Sequence, residues 1–262
     1  MPVSKEGRFA GESVFVTGAG SSVGRVMAQG FATEGARVHI CDVLEKPLRE
    51  TLDANPGMCG SIANVGNPAE VAQMFAEARA WMGDVTILVN TVGIGGPRAP
   101  VEEISDADWQ ESMAINVSGM FHCIREVVPA MKQARHGAII NFSSGSTRTG
   151  LPFRTPYVVS KYAVEGLTRN LARELGPDNI RVNAILPGMI DNERMRGIVR
   201  RTAEAQGRQP EQVQADYLRY ISMQTMISPV EISDMVLFLA SGAARHVTGQ
   251  LIGVDGNVEW EF

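Results

Sequence analysis

A tyrosine and a lysine four residues apart, Tyr157 and Lys161, bracket the segment YVVSK. On a helix that spacing places both side chains on one face, so the ammonium can lie beside the phenol. A free phenol titrates at about 10 and moves protons poorly at neutral pH. A neighbouring cation favours the phenolate and turns the pair into an acid/base device. Ser144 stands 13 residues upstream of the tyrosine, just past the apolar run AIINF (138–142). Parallel sheets present their ligand-binding groups at that end of a strand. With four tyrosines and four lysines in the chain, such a pair is modest evidence alone, so its weight depends on what surrounds it.

A second constellation lies near the start. TGAGSSVG (Thr17–Gly24) follows the apolar run SVFVT and opens a helical pattern. Glycines allow a tight turn and close backbone approach to a pyrophosphate, and the helix start offers free N–H groups and a positive dipole end. Asp42 ends the next apolar run, 18 residues after Gly24. A carboxylate there accepts both hydroxyls of an adenosine ribose and repels a 2′-phosphate, which points to NAD(H) rather than NADP(H). The competing reading makes Asp42 a cap for a helix over Leu44–Arg49.

Seven short apolar runs must carry these groups: 13–17, 37–41, 58–63, 86–90, 138–142, 181–186 and 250–254. Most are apolar on both faces, as strands covered by helices on each side require. Amphipathic stretches at 22–34, 67–82, 106–134, 157–175 and 229–241 separate them. Such alternation predicts a parallel sheet with right-handed crossovers. An eight-fold barrel is the alternative; seven strands and the glycine-rich first turn favour a Rossmann-type α/β fold, doubly wound. One domain over 1–262 is expected. The polar, Arg-rich segment 189–228 interrupts the alternation and reads as two short helices, Glu193–Ala205 and Pro210–Ile221, forming a substrate lid or a surface excursion.

Composition narrows the function classes. The 262 residues are 44% hydrophobic and 20% charged, enough to bury a full core. The net charge of −5 is spread without basic blocks, against nucleic acid or an anionic membrane as partner. Three unspaced cysteines argue against a disulfide scaffold and for a reducing cytoplasm. Scattered histidines give no metal site. The first residues carry no long apolar run and no stretch is long enough to span a bilayer, so neither a signal peptide nor a membrane span is expected.

Taken together, TGAGSSVG, Asp42, Asn64–Val65, NTVG (Asn90–Gly93), NVSG (Asn116–Gly119), SSG (Ser143–Gly145), YVVSK, RVNAILPG (Arg181–Gly188) and VTGQLIGVDG (Val247–Gly256) resemble the classical short-chain dehydrogenase/reductase family over essentially the whole chain. The resemblance implies NAD(H)-dependent hydride transfer at a secondary alcohol or ketone (a CH–OH group), by a tetrad. Tyr157 would be the general acid/base, Ser144 would hold the substrate oxygen, and Lys161 would bind the nicotinamide ribose and assist the tyrosine. Asn116 would anchor a relay water through its backbone; without the family it reads as a helix-interior polar group satisfied locally. Cofactor contacts would come from Gly18, Gly20, Ser21, Ser22, Val23 and Gly24, from Asp42, Val43, Asn64 and Val65, and from Asn90, Thr91, Val92 and Gly93. Tyr157, Lys161, Pro187, Gly188, Ile190 and Asn192 would complete them. A homotetramer, or a homodimer, is implied, with the tail that ends in Trp260 and Phe262 packed at an interface or onto its own subunit. The other roles open to this fold are dehydration, epimerisation and NAD(H) sensing without turnover.

Three positions depart from the family pattern. Ser22 stands where the phosphate loop has a glycine, Thr91 replaces an amide that normally braces the sheet, and Asn192 replaces a threonine expected to contact the nicotinamide carboxamide. Substrate contacts are expected from Ser144, Ser146, Arg148, Arg154, Met189, Arg194 and Met195. Phe153 and Met223 are further candidates for an apolar wall. If two of Arg98, Arg148, Arg154, Arg194 and Arg196 face the pocket, an anionic substrate follows; the alternative is that they are solvated or bridge subunits.

Overall fold

Residues 7–258 are described in the computed structural model. The chain runs β1 (Ser13–Thr17), α1 (Ser22–Thr33), β2 (Arg37–Asp42), α2 (Glu45–Asp53), β3 (Met58–Ile62), α3 (Pro68–Met82) and β4 (Ile87–Asn90). It continues through α4 (Asp106–Met113), a π-helical turn (Ala114–Ser118), α5 (Gly119–Ala134), β5 (Gly137–Phe142), α6 (Ser146–Thr149) and α7 (Thr155–Leu175). β6 (Ile180–Pro187), α8 (Glu193–Gln206), α9 (Pro210–Leu218), α10 (Pro229–Ala240) and β7 (Leu251–Val254) complete it. The strands form one open parallel sheet in the order β3-β2-β1-β4-β5-β6-β7, which sets aside the barrel.

Alternation along the central strands builds two cores. Val14, Val16, Ile87, Val89, Ala138 and Ile140 point to one face and pack with Met27 and Phe31 of α1 and Ile232 and Val236 of α10. Phe15, Leu88 and Ile139 point to the other and pack with Phe75 of α3, Val127 of α5 and Val164 of α7. Successive side chains alternate across a strand, so helices on both faces demand apolar residues throughout. His39 joins the second face, stacked on Phe15 with ring centroids 5.1 Å apart. Burial pushes its pKa down to about 4.

The stretch 106–134 is two helices joined by the π turn, and α2 is a helix in its own right. Ser105 caps α4 by accepting the Asp108 amide. The two helices expected in 189–228 are α8 and α9, which share a small core of Val199, Ala203 and Val213. Val258 pairs with Ile221 in an antiparallel bridge, so the tail as far as that residue lies on its own lid; Trp260 and Phe262 lie outside the described residues.

Candidate active site

Strand order reverses between β1 and β4, and the loops after these strands flank the crevice where an open parallel sheet binds ligands. The glycines there have steric reasons. A Cβ on Gly24 would lie 2.4 Å from the Gly18 carbonyl oxygen, so helix α1 can approach β1 only without one. Gly18 adopts φ +63°, and a Cβ there would stand 2.9 Å from Thr91 Oγ1. Ser21 is the N-cap of α1 and makes no side-chain capping bond, which leaves first-turn N–H groups for a ligand. Ser22, standing for a family glycine, takes φ +52°, the left-handed region that glycine favours.

Asp42 at the tip of β2 is half-buried. Its Oδ2 accepts the Gly20 amide and its Oδ1 the Leu44 amide, each at 3.0 Å. It therefore organises the glycine loop and the entry to α2 together. Each carboxylate oxygen has a second lone pair, so both remain able to accept a ribose hydroxyl. Val43 beside it is 61% exposed. Across the crevice, the Thr91 hydroxyl donates to the Thr17 carbonyl and the Thr91 amide donates to Thr17 Oγ1 at 3.0 Å. The departure at 91 thus supplies a brace between β1 and β4 instead of removing one. Asn90 Nδ2 donates to Asn141 Oδ1 at 3.0 Å and ties β4 to β5.

The four tetrad positions come from α7, the end of β5 and the π turn. Lys161 is buried with its Nζ 5.8 Å from the Tyr157 ring centroid, donating to the Phe142 carbonyl at 2.7 Å. Burial, then the charge of Arg194, lowers its pKa to about 8. Asn116 is fully buried: Oδ1 accepts the Ile94 amide at 2.8 Å, and Nδ2 donates to the Ile94 carbonyl and to Ser160 Oγ, each at 2.9 Å. Ser160 in turn donates to the Tyr157 carbonyl at 2.7 Å. Asn116 is therefore satisfied by partners 22 and 44 residues away, not locally. A Cβ on Gly93 would stand 3.1 Å from Lys161 Nζ and 3.5 Å from Asn116 Oδ1, so the β4 loop passes directly over both. Ser144 lies two residues past β5, its Oγ accepting the Ser146 amide at 3.2 Å.

Known proteins are similar to this chain over most of its length. The family model described as Enoyl-(Acyl carrier protein) reductase matches residues 18–258. An uncharacterized oxidoreductase of Thermotoga maritima is 36% identical, the match covering 95% of this chain and 97% of the relative. The probable galactose dehydrogenase of Rhizobium meliloti is 34% identical over 98% and 99%. A crystal structure of NAD+-bound xylitol dehydrogenase superposes with TM-score 0.88 at 28% identity, covering 95% of this chain and 100% of that one. The chain belongs to the short-chain dehydrogenase/reductase family.

Segment 189–228, expected from the sequence as a substrate lid or a surface excursion, follows β6. Here Ile190 bridges Ile227 at its base, and Gly188 packs so tightly on Asp255 that a Cβ would lie 2.6 Å from the Asp255 Cα. Asn192 is the N-cap of α8, its Oδ1 accepting the Met195 amide at 2.9 Å while Nδ2 donates to Ser22 Oγ at 3.1 Å. Two of the three departures from the family pattern thus meet across the crevice, the start of α8 against the glycine loop. Met195 packs in the lid's own core, while Met223 and Phe153 are largely exposed. The Met189 carbonyl accepts the Ile227 amide at the base of the lid. Val65 is buried beneath Gly119, while Asn64 Oδ1 accepts the Gly66 amide. Ile94, Ser160 and the Phe142 carbonyl are the site residues that sequence reading passed over. Two act through backbone atoms, which carry no residue-type signal, and Ser160 is signalled only by its place inside YVVSK.

Proposed function

We propose that this oxidoreductase transfers hydride between NAD(H) and a secondary alcohol or ketone, with Tyr157 as the general acid/base. The observation that carries the reading is the Lys161 ammonium, buried under the tyrosine ring and beneath Gly93. A bound nicotinamide would supply the hydride acceptor on oxidation and the donor on reduction. The remaining work falls to the chain. Tyr157 takes the hydroxyl proton of the alcohol or returns it to the ketone, and Ser144 Oγ holds the reacting oxygen. Lys161 stabilises the phenolate and reaches the ribose, while the π turn at Asn116 loosens the helical ladder and frees backbone for a relay water. The loop fits a pyrophosphate because Gly18, Gly20 and Gly24 let the backbone and the uncapped start of α1 meet it. Asp42 favours an unphosphorylated ribose. The relatives' printed names, a probable galactose dehydrogenase and an NAD+-bound xylitol dehydrogenase, are consistent with that choice.

Among the described residues no helix is long and apolar enough to cross a membrane. We infer a cytoplasmic protein from its three free cysteines. We also infer a homotetramer, supported by Trp109, Phe121, Val159 and Tyr162, large side chains left exposed on α4, α5 and α7. The function is tested by thermal unfolding with NAD, NADH, NADP and NADPH, each at matched concentration. A ligand at about 100 times its dissociation constant stabilises by roughly 2.7 kcal/mol. Protection by NAD and NADH alone is expected, followed by NADH formation with secondary alcohols. Protection by NADPH alone would overturn the role of Asp42.

A further inference from the structure

The arginines on the substrate side fall into two groups. Arg148 pairs with Asp255 at 3.0 Å, and Arg196 pairs with Asp191 and Glu193. Arg98, Arg154 and Arg194 have no carboxylate partner among the described residues. Two of these three converge beside the catalytic tyrosine. Arg154 donates Nε and Nη2 to the Gly95 carbonyl at 3.2 and 2.7 Å, which fixes its guanidinium 5.5 Å from the Tyr157 ring centroid. The Nη2 atoms of Arg154 and Arg194 fall 2.3 and 3.3 Å from the point where a Gly95 Cβ would stand. The missing side chain at 95 is what lets both cations occupy this corner.

Arg154 is half-buried, while Arg194 and Arg98 are exposed; like charges gathered around a half-buried guanidinium cost free energy unless something compensates. Arg154 shows the cost: burial, and beyond it the charges of Arg194 and Arg98, hold its pKa below the ordinary arginine value, with Tyr157 opposing them. Arg154 spends two N–H groups on Gly95, and the rest of its fork, with that of Arg194, stays open for an acceptor. Arginine forks match an oxyanion in bidentate geometry.

We propose that Arg154 and Arg194 form an anion subsite next to Tyr157, so that the substrate is a secondary alcohol or ketone bearing a carboxylate or similar small oxyanion a few bonds from the reacting carbon. The subsite rests on the alcohol/ketone reading of the pocket. On oxidation the C–H hydride leaves with two electrons for the nicotinamide and the hydroxyl proton goes to Tyr157. The anion keeps its charge throughout, so the arginines position the substrate without entering the chemistry.

The test uses the full chain with NADH in phosphate-free buffer, titrated with acetoacetate, levulinate, acetonylphosphonate and the methyl esters of the two keto acids, and read by thermal unfolding. At least one anion should bind at least tenfold tighter than its ester, since a hydrogen bond to a charged group is worth about a factor of ten or more. The preference of carboxylates over the phosphonate, or the reverse, identifies the head group. Arg194→Ala and Arg154→Ala should each remove most of that discrimination, and Arg194→Lys should restore part of it. Equal protection by acids and esters, protection by none, or discrimination surviving in the Arg154→Ala/Arg194→Ala double variant would overturn the subsite. The NADH shift alone reports the underlying reading. A chain that ignores NADH yet keeps arginine-dependent anion binding loses the dehydrogenase assignment and retains the subsite.

Discussion

Asp42 offers the sharpest perturbation because one carboxylate is assigned two separable tasks. In Asp42→Ala the Gly20 and Leu44 amides lose their acceptors, and Gly20 is buried. Hydrogen bonds to a charged group contribute about 1.5–3 kcal/mol each when shielded. For a half-exposed carboxylate the low end applies, so the two together are worth about 3 kcal/mol at most. In a chain of this size that lowers Tm by roughly 5–10 °C. Recognition should change separately. Loss of the ribose acceptor weakens NAD, and loss of the negative charge admits a 2′-phosphate, so the preference for NAD over NADP should fall by about 100-fold or more. Asp42→Asn divides the tasks: its one carbonyl oxygen can keep one backbone bond, for a stability loss of about 1 kcal/mol, while the cofactor preference falls as the charge disappears. Calorimetric melts and isothermal titration of NADH and NADPH read both quantities. An alanine variant with unchanged cofactor preference would refute the ribose assignment. An unchanged Tm would refute the claim that Asp42 holds the glycine loop to α2.

Two further outcomes follow from the same geometry. Gly24→Ala forces a Cβ to within 2.4 Å of the Gly18 carbonyl oxygen, so the loop must shift; a loss of about 1–3 kcal/mol and of NADH protection is expected in melts. Lys161 titrates near 8 in the ligand-free fold and at about 10.4 in the unfolded chain. Below about pH 8 both states hold the proton and the fold bears the burial cost; above it the unfolded chain binds more protons, so stability rises with pH until both lose it. The stability of wild type relative to Lys161→Met should therefore climb by on the order of 2 kcal/mol between about pH 7.5 and 9.5, measured by urea unfolding. A flat difference would place the lysine in contact with solvent.

The strands and the phosphate loop were legible because both are local. Val and Ile runs such as Val14–Val16 announce a strand covered on two faces, and Gly18–Gly24 is a contiguous steric pattern. Tyr157 and Lys161 were legible through helical spacing. What stayed hidden depends on partners distant in sequence or on backbone atoms. The π turn has no composition signal, and Asn116 finds Ile94 and Ser160 only after β4 and α7 are packed. Thr91 looked like a lost brace because the sequence does not show that Thr17 faces it. The substrate-side arginines illustrate the same limit: five lie in the right stretches, and only tertiary structure separates Arg148 and Arg196, neutralised by acids, from Arg154 and Arg194, which are not. Met195 belongs to the lid's core because α9 supplies Val213 opposite it.

The central claim is that Tyr157 carries the proton while the rest of the fold binds the cofactor. The most direct measurement is the single-turnover rate of Tyr157→Phe with a secondary alcohol that wild type oxidises, taken beside NADH affinity and Tm of the same sample. Removal of a positioned acid/base group costs about 10²–10⁴-fold in rate. The account predicts a loss of at least that size with folding and NADH binding intact. A rate within severalfold of wild type would contradict it and move the proton transfer to another group.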